Sequence, residues 1–279
     1  MPLGGHRAVG GTGSDAVIAD MPELPELETV RLALERRFLG RVITSYRIGR
    51  PAFNRPIPAR ALRGLKGARI TAVERRGKYL ILRLSRGRDL VCHLGMSGSV
   101  SFGADEAHVR FRFTAGGRTV KFHDPRRFGR VGCSLPELGP EPLSRDCDAD
   151  RIFRALRGRR APVKSLLLDQ RVLAGVGNIY ATEALFASGI RPQRPAERVS
   201  RAEAARLCAA LKRVLKRAIR LGGTTLADQA FRDPYGRPGR FQFKTSVYGL
   251  KKGRCGHALK ATPRPIAGRT SLYCPVCQR

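Results

Sequence analysis

The chain has 279 residues, of which 42% are hydrophobic, so it is long and apolar enough for one large or two smaller globular domains. Its 54 Lys and Arg against 22 Asp and Glu give a formal net charge of +32, which favours a polyanionic partner. No apolar run approaches the ~20 residues of a spanning helix, and the N-terminus lacks the apolar core of a secretory signal. We therefore expect no membrane partner and a cytoplasmic, reducing compartment, with a basic secreted or ribosome-associated protein as the alternative.

The first half of the chain predicts a leader, one helix and an all-β unit. Residues 1–20 are rich in Gly and small residues without periodicity, as in a disordered leader. Apolar residues then recur at helical spacing over residues 25–39, which predicts an amphipathic helix that ends before Gly40. Between residues 41 and 132, short alternating segments separated by Gly-containing turns predict an antiparallel sandwich or barrel.

The second half is predicted to be helical, with a hairpin at its end. From Asp148 the apolar periodicity is that of helices separated by short breaks. Residues 233–249 combine turn residues with a strand pattern and lead into a short hairpin that carries paired cysteines. The fold class is thus α+β and multidomain. The predicted units are the leader 1–20, a β-sandwich domain 21–146, a helical domain 147–243 and a hairpin 244–279.

Seven motifs, in this order along the chain, carry a family resemblance: MPELPELETV, RRGKYL, HLGMSGS, HDPRRFG, GPEPLS, GVGNIYATEALF and GGTTLADQAF. They resemble the bacterial formamidopyrimidine-DNA glycosylase family, of the Fpg type, from Met21 to the C-terminus. The resemblance implies a catalytic β-sandwich with a leading helix, a helix-two-turn-helix domain and a zinc-finger-like hairpin. It also implies a monomeric, nucleoid-associated DNA-repair enzyme that excises oxidised purines, such as 8-oxoguanine and formamidopyrimidines, from double-stranded DNA. The same enzyme then nicks the abasic site by β,δ-elimination.

The family places its nucleophile on an N-terminal proline, which matches Pro22 here. A free α-amino group with a pKa near ~8 is partly neutral at physiological pH and can attack the sugar C1′. Within a longer chain the same nitrogen is a tertiary amide without a free electron pair. The resemblance therefore implies that Met21 is the biological start and is removed, whereas the string MPELP alone is equally compatible with an ordinary Pro-initiated helix.

The resemblance gives further catalytic roles to three side chains. Glu23 is the expected general acid/base, with Glu26 as a supporting carboxylate, although acidic residues also favour helix N-termini for electrostatic reasons. Lys78, in RRGKYL, matches the lysine that contacts phosphate and assists elimination. Without its motif, Lys78 would be read as a solvated surface residue.

A base inside a duplex must be extruded before it can be excised, and the gap must be filled. Met96 in HLGMSGS, and Arg127 with Phe128 in HDPRRFG, match the family's void-filling residues, with His93 as a further DNA contact. An unbranched thioether and an aromatic ring suit a wedge, and a guanidinium can read the unpaired base. The alternative is that Met96 and Phe128 are core residues, but Gly95 beside Met96 favours an exposed turn.

The string LDQRVLAGVGNIYATEALF predicts a helix, a glycine turn and a second helix that begins near Asn178. The resemblance makes Asn178 a phosphate contact and adds Lys164 as a DNA contact, while simple helix capping by Asn178 remains an alternative. A loop from Gly222 to Phe243 is expected to close over the extruded base, as in the family.

The C-terminal cysteines depart from the family's C-x2-C-x16-C-x2-C zinc pattern. His257 stands where the second cysteine would be, so the expected zinc ligands are Cys255, His257, Cys274 and Cys277. One zinc ion per chain is expected, and a metal-free hairpin is the alternative. Arg269 matches the hairpin arginine that grips phosphate. The other four cysteines are expected to be small core residues: Cys92, Cys133, Cys147 and Cys208.

Two further functional hypotheses stay open on the sequence. The first is the sister enzyme type that acts on oxidised pyrimidines, although PELPE and DPRRFG favour the purine type. The second is a non-catalytic DNA-binding repair protein, which would follow if the leader were retained.

Overall fold

The computed structural model describes residues 22–85, 87–226 and 231–279. Met21 and the predicted leader lie outside the described residues. Among the residues described, no helix has the length and apolar character needed to cross a membrane.

The first helix, α1, runs Leu24–Phe38 and differs from the predicted helix by one residue at each end. Pro25 lies in its first turn, where a missing backbone N–H leaves no helical hydrogen bond unmade. Gly40 follows the helix with a φ of +76°, a left-handed conformation that glycine adopts without steric cost.

The predicted antiparallel sandwich is confirmed. The strands of the sandwich are β1 (Ile43–Ile48), β2 (Ile70–Arg76), β3 (Tyr79–Leu84), β4 (Arg88–His93), β5 (Ser99–Ser101), β6 (Val109–Ala115), β7 (Arg118–His123) and β8 (Arg130–Gly132). In the described part of the chain, they form two four-stranded antiparallel sheets with the orders β1-β6-β7-β5 and β2-β3-β4-β8. A short helix, α2 (Ala59–Leu62), separates the first two strands.

The helical second half is also confirmed. The elements are α3 (Ala149–Leu156), α4 (Val163–Leu168), α5 (Asn178–Ser188), a 3₁₀ turn (Ala196–Arg198) and α6 (Arg201–Arg220). Helix α6 begins with a capping box, in which the side chains of Ser200 and Glu203 each accept the other residue's backbone N–H.

Helix α1 contributes to two separate hydrophobic cores. Leu27, Val30, Leu34 and Phe38 are fully buried in the core between the two sheets. Leu24, by contrast, is fully buried in the core of the helical half. Residues 22–24 therefore lie at the boundary between the sandwich and the helices, which is where the predicted catalytic residues are.

The strand pattern predicted within residues 233–249 is wrong, because Phe241–Lys244 form a 3₁₀ helix. The backbone N–H of Phe241 donates to the Gly223 carbonyl, and its ring packs against Tyr180 with centroids 5.4 Å apart. This segment therefore packs on the end of α6 and on α5. The predicted terminal hairpin is present, with the two-residue strands β9 (Lys260–Ala261) and β10 (Leu272–Tyr273).

Candidate active site and DNA-binding surface

The carboxylate of Glu23 caps the N-terminus of α5. Its Oε2 accepts the N–H of Gly177 at 2.9 Å, and its Oε1 accepts that of Ile179 at 2.9 Å. The Glu23 residue is 1% exposed, so its carboxylate group lies buried against these amides at the positive end of the helix dipole. A Cβ at position 177 would lie 2.5 Å from Oε1 of Glu23, so any larger residue there would displace this carboxylate.

Glu26 lies one turn further along α1 and is 2% exposed. Its Oε2 accepts the backbone N–H of Glu23 at 2.9 Å, and its Oε1 accepts the N–H of Thr224 at 2.7 Å and the hydroxyl of Tyr180. Burial raises the pKa of the Glu26 carboxyl to about 7, against the opposing effect of these donors. Glu26 thus joins α1 to α5 and to the segment after α6, besides complementing the helix dipole.

A cavity of about 200 Å³ opens beside Glu23. It brings together predicted site residues from α1, the β2–β3 turn, the start of α5 and the C-terminal hairpin. Pro22, the residue next to Glu23, is buried. The lining residues are Glu23, Lys78, Leu168, Gly177, Asn178, Ala267 and Arg269.

His93 lies at the end of β4, close enough to Lys78 to be affected by its charge. Burial, and then the positive charges of Lys78 and Arg130, lower the pKa of His93 to about 4, so its ring is neutral at physiological pH. Its Nδ1 accepts the N–H of Gly95 at 3.1 Å, so the proton of the neutral ring is on Nε2. His93 is therefore a hydrogen-bond donor without charge.

Two turns carry the predicted void-filling residues, and they pack against each other. A Cβ on Gly95 would lie 2.8 Å from the nitrogen of Gly129, so the turn of Met96 touches the turn of Phe128. Met96 is half-buried, whereas Phe128 is 43% exposed, which is unlike a core aromatic. Arg127 has a left-handed φ of 60°.

Lys164 lies in the interior rather than on a DNA-facing surface, and this burial was not predicted. The residue is 0% exposed, and its Nζ donates to Asn178 Oδ1 at 2.6 Å, Thr182 Oγ1 at 2.8 Å and Ser271 Oγ at 2.8 Å. Because these partners lie on α5 and beside β10, Lys164 ties the helices to the hairpin. Direct contact between its ammonium group and DNA does not fit this geometry.

Asn178 is the first residue of α5, and Gly177 is the N-cap. Helix capping by the Asn178 side chain is thus not observed: its Oδ1 accepts from Lys164 instead. The amide side chain lines the cavity beside Glu23, at the positive end of the helix dipole.

The four predicted metal ligands lie together, with one ligand atom of each within 4.8 Å of the others. The Sγ atoms of Cys255 and Cys274 are 3.7 Å apart, and the Nδ1 atom of His257 lies 3.6 Å from Sγ of Cys274 and 3.5 Å from Sγ of Cys277. Zn–S and Zn–N bonds of about 2.3 and 2.0 Å give tetrahedral edges of about 3.5 to 3.8 Å. The cluster could hold a metal ion, and the single residue between Cys255 and His257 does not prevent it.

Comparison with known proteins agrees with this geometry. Family models match residues 21–131, as the formamidopyrimidine-DNA glycosylase N-terminal domain, and residues 138–230, as the formamidopyrimidine-DNA glycosylase H2TH domain. The chain belongs to the formamidopyrimidine-DNA glycosylase family. It is 44% identical to an enzyme of that name from Thermus thermophilus over 271 residues, which cover 92% of this chain and 98% of that relative. The relative from Thioalkalivibrio sulfidiphilus is 44% identical over 278 residues, which cover 93% of this chain and all of that relative (100%).

Solved structures of the family superpose well on this chain. The crystal structure of the Thermus thermophilus MutM (Fpg) protein has a TM-score of 0.83 at 44% identity and covers 92% of this chain and 98% of that one. Lactococcus lactis Fpg in complex with abasic-site DNA has a TM-score of 0.82 at 30% identity, and the match covers 92% of this chain and 99% of that one. A Lactococcus lactis Fpg mutant in complex with Fapy-dG-containing DNA has a TM-score of 0.82 at 30% identity, and the match covers 92% of this chain and 100% of that one.

Sequence reasoning missed several residues that hold these groups in place. Asp124 accepts from the Ser97 hydroxyl and, at 2.6 Å, from the N–H of Gly129, so it fastens the Met96 and Phe128 turns together. Arg126 lies over the Phe128 ring, 4.9 Å from its centroid. Both residues stand in the motif HDPRRFG. The motif therefore indicated this part of the chain as functional, but it did not reveal the contacts of Asp124 and Arg126.

Glu183 is a further missed residue. Its buried carboxylate accepts the backbone N–H groups of Ser246, Val247 and Tyr248 at 2.7 to 2.9 Å, and burial raises its pKa. It therefore fixes the start of the hairpin segment to α5. The only signal in the sequence was an acidic residue in an otherwise apolar helix.

Proposed function

We propose that this protein is a bifunctional DNA glycosylase and AP lyase that excises oxidised purines from duplex DNA. The observation that carries the proposal is the cavity beside Glu23, where a buried carboxylate, two cationic side chains and the start of α5 converge. The family relationship supports the same function, since Lactococcus lactis Fpg was solved with abasic-site DNA and a mutant of it with Fapy-dG-containing DNA. The Fapy-dG lesion favours the enzyme type that acts on oxidised purines over the type that acts on oxidised pyrimidines.

In the proposed reaction Pro22 is the nucleophile, once its nitrogen is the free amino terminus. Its lone pair forms a bond to C1′ while the bond from C1′ to the base breaks, and the base leaves with that electron pair and a proton. The proline nitrogen then loses its proton and its lone pair expels O4′, which takes up a proton, so the sugar ring opens and an iminium forms at C1′. The iminium makes a C2′ proton acidic. Loss of that proton expels the 3′ phosphate, and loss of the C4′ proton then expels the 5′ phosphate. This pair of eliminations opens the strand.

Glu23 is proposed as the general acid/base for the deoxyribose ring, because it lies next to Pro22 and lines the same cavity. The amides of Gly177 and Ile179 hold its carboxylate in one orientation. Glu26 supports this arrangement by bonding the backbone N–H of Glu23 at 2.9 Å. Lys78, in the same cavity, is proposed to contact phosphate and assist the eliminations.

The proposed DNA contacts surround this cavity. Arg269 and Asn178 face the phosphates from the hairpin and the helix start, and His93 donates a neutral hydrogen bond from Nε2. We assign Lys164 an indirect role, because its buried ammonium group orients the Asn178 side chain. Residues 222–226 and 231–243 of the expected closing loop are described, whereas residues 227–230 lie outside the described residues.

Met96, Arg127 and Phe128 are proposed to fill the space that the extruded base leaves. The two contacting turns give these side chains a common base, and the exposure of Phe128 gives it access to the DNA stack. Arg126, whose guanidinium lies over the Phe128 ring, belongs to the same surface.

A single zinc ion is the proposed cofactor, held by Cys255, His257, Cys274 and Cys277. A closed site with four protein ligands would have a structural role, because no position is left for water or substrate. It would hold together a hairpin whose two strands have only two residues each. Its effect on DNA binding would therefore act through the position of Arg269.

The remaining expectations about organisation are proposals too. We propose a monomer that acts in the cytoplasm on nucleoid DNA, with a sandwich domain over residues 21–146 and a helical domain from residue 147. The predicted boundary after residue 243 cuts the 3₁₀ helix Phe241–Lys244, so we place the start of the hairpin unit at Thr245 instead.

A substrate panel tests this function. Protein that begins at Pro22 should excise 8-oxoguanine and formamidopyrimidines from duplex DNA and nick the strand, with much weaker activity on thymine glycol and none on undamaged DNA. Preference for thymine glycol would indicate the pyrimidine type. Tight DNA binding without any nicking, even at a preformed abasic site, would indicate the non-catalytic alternative and overturn the proposal.

A further inference from the structure

The segment Leu138–Glu141, which joins the sandwich to the helices, contacts the turn that carries Lys78. In the β2–β3 hairpin Arg76 pairs with Tyr79, so Gly77 and Lys78 form a two-residue turn. The Glu141 carboxylate accepts the backbone N–H of Gly77 through Oε1. The Arg76–Gly77 peptide unit, at the start of the turn that carries Lys78, is therefore bound to a side chain from outside the sandwich.

The same carboxylate is held by arginines from the end of β2. Nη1 of Arg75 donates to both Glu141 oxygens, at 2.9 and 2.8 Å, and also to the Gly77 carbonyl at 3.3 Å. Nε of Arg75 donates to Glu28 on α1 at 2.8 Å. Arg76 donates to the Leu138 carbonyl at 3.2 Å. Arg75 and Glu141 side chains are 10% and 17% exposed, so solvent screens these contacts only in part.

The joining segment also contacts the glycine turn that precedes α5. The N–H of Ala174 donates to the Pro140 carbonyl at 3.1 Å, and a Cβ on Gly139 would clash with the Arg171 carbonyl oxygen. Gly175, next along the chain, accepts the N–H of Leu24 at 3.1 Å. Residues 138–141 therefore lie between the Lys78 turn on one side and the turn that bonds the start of α1 on the other.

These contacts lead to a role for Glu141, which stands in the motif GPEPLS but received no role from the sequence. We propose that Glu141 is a positioning residue for Lys78, which fixes the Gly77–Lys78 turn at the distance from Glu23 that the elimination steps require. It does not touch the DNA in this proposal; it acts through the Gly77 N–H and Arg75. The inference rests on the proposed function, since it concerns the lysine of that same cavity.

The test uses the full-length enzyme that begins at Pro22 and compares Glu141→Gln with Glu74→Gln. Glu74 lies on the same strand as Arg75, but its carboxylate is exposed and pairs only with Arg83 among the contacts described. Glu141→Gln should lower kcat for cleavage of a preformed abasic site by roughly ten- to a hundredfold, because small misplacements of a reacting group cost this much. The KM should change less than about threefold, since His93, Asn178 and Arg269 are untouched. For Glu74→Gln, both kcat and KM should stay within about twofold of the wild-type values.

A double-mutant cycle separates positioning from general damage. In a Lys78→Ala background, Glu141→Gln should lower the cleavage rate by less than about twofold further, because the group it positions is already gone. An equal fold-loss in both backgrounds, or wild-type kcat for Glu141→Gln, would overturn the inference. If Glu141→Gln does not fold, Arg75→Lys takes its place, with a smaller loss of kcat and the same non-additivity. A wild-type enzyme that cleaves no abasic site would remove the proposed function itself, and with it this role.

Discussion

The start of α1 and the C-terminal hairpin both supply side chains to the same cavity, but different contacts hold them there. Glu23 is fixed by backbone amides of α5, and the adjoining Leu24 is buried in a large apolar core. Arg269 stands in a hairpin with two-residue strands, where Cys255, His257, Cys274 and Cys277 lie close enough together to hold a metal ion. The comparison indicates that the first region is held by the packed fold, whereas the second is held, in the proposed function, by a zinc ion.

The largest effect is expected from Glu23→Gln, which tests whether the first region is catalytic as well as structural. Glutamine keeps the size of the side chain but loses the charge and one acceptor, so excision of 8-oxoguanine should fall by about 10²- to 10⁴-fold. Unfolding free energy should fall by no more than about 2 kcal/mol, the scale of a charge at a helix N-terminus. Excision kinetics and thermal unfolding measure the two effects, with Glu74→Gln as the control. Excision above about a tenth of the wild-type rate would refute the acid/base role of Glu23.

The next effect concerns the hairpin. Cys274→Ser should reduce bound zinc from about one ion per chain to almost none, because a structural site needs its four ligands. Affinity for duplex DNA should fall by at least about tenfold, since the segment that holds Arg269 loses its fixed shape. Metal analysis and DNA titration at one salt concentration provide the readouts.

Two controls sharpen that result. Cys208→Ser, in the helical core, should keep the metal, because Cys208 lies outside the cluster. Arg269→Ala should also keep the metal but weaken DNA binding, with a shallower dependence on salt by about one counterion. A Cys274→Ser protein that retains zinc, or a wild-type protein that is active without it, would show that the hairpin is held in another way.

A smaller effect concerns the first region alone and is a dependence of the unfolding free energy on pH. Burial raises the pKa of Glu26 to about 7 from 4.5, so the folded protein binds a proton more tightly than the unfolded chain does. The contribution of Glu26 to stability is therefore fully present below pH 4.5 and is lost as the pH rises through about 7. Wild-type stability should thus fall between about pH 5 and pH 8, relative to Glu26→Gln, by on the order of 3 kcal/mol. Parallel pH profiles of unfolding free energy for the two proteins would contradict this assignment.

The sequence predicted the elements of this fold well, because α1, the sandwich strands and α6 carry clear apolar periodicity. It misassigned residues 241–244, since an alternating pattern does not reveal that Phe241 binds the end of α6. The ligand cluster was predicted from the resemblance to the family's zinc pattern, in which His257 stands at the place of the second cysteine, and the structure brings the four residues together.

Long-range polar contacts were the part that the sequence did not reveal. Lys164 was expected at the DNA surface, but its ammonium group is satisfied by residues 14, 18 and 107 positions away. Glu141 and Glu183 bind backbone amides that are 64 and 63 positions distant. No local pattern encodes such partners, because they depend on how separate elements pack.

The central claim, that Pro22 is the nucleophile, is tested most directly by borohydride trapping on duplex DNA that contains 8-oxoguanine. Two forms of the protein are compared, one that begins at Pro22 and one that keeps the residues before it, which makes the Pro22 nitrogen an amide. We expect the first form to become covalently attached to DNA, with the attached sugar on the N-terminal residue by peptide mass mapping, and the second to remain unattached. Equal trapping of both forms, or attachment at Lys78 instead, would contradict the account.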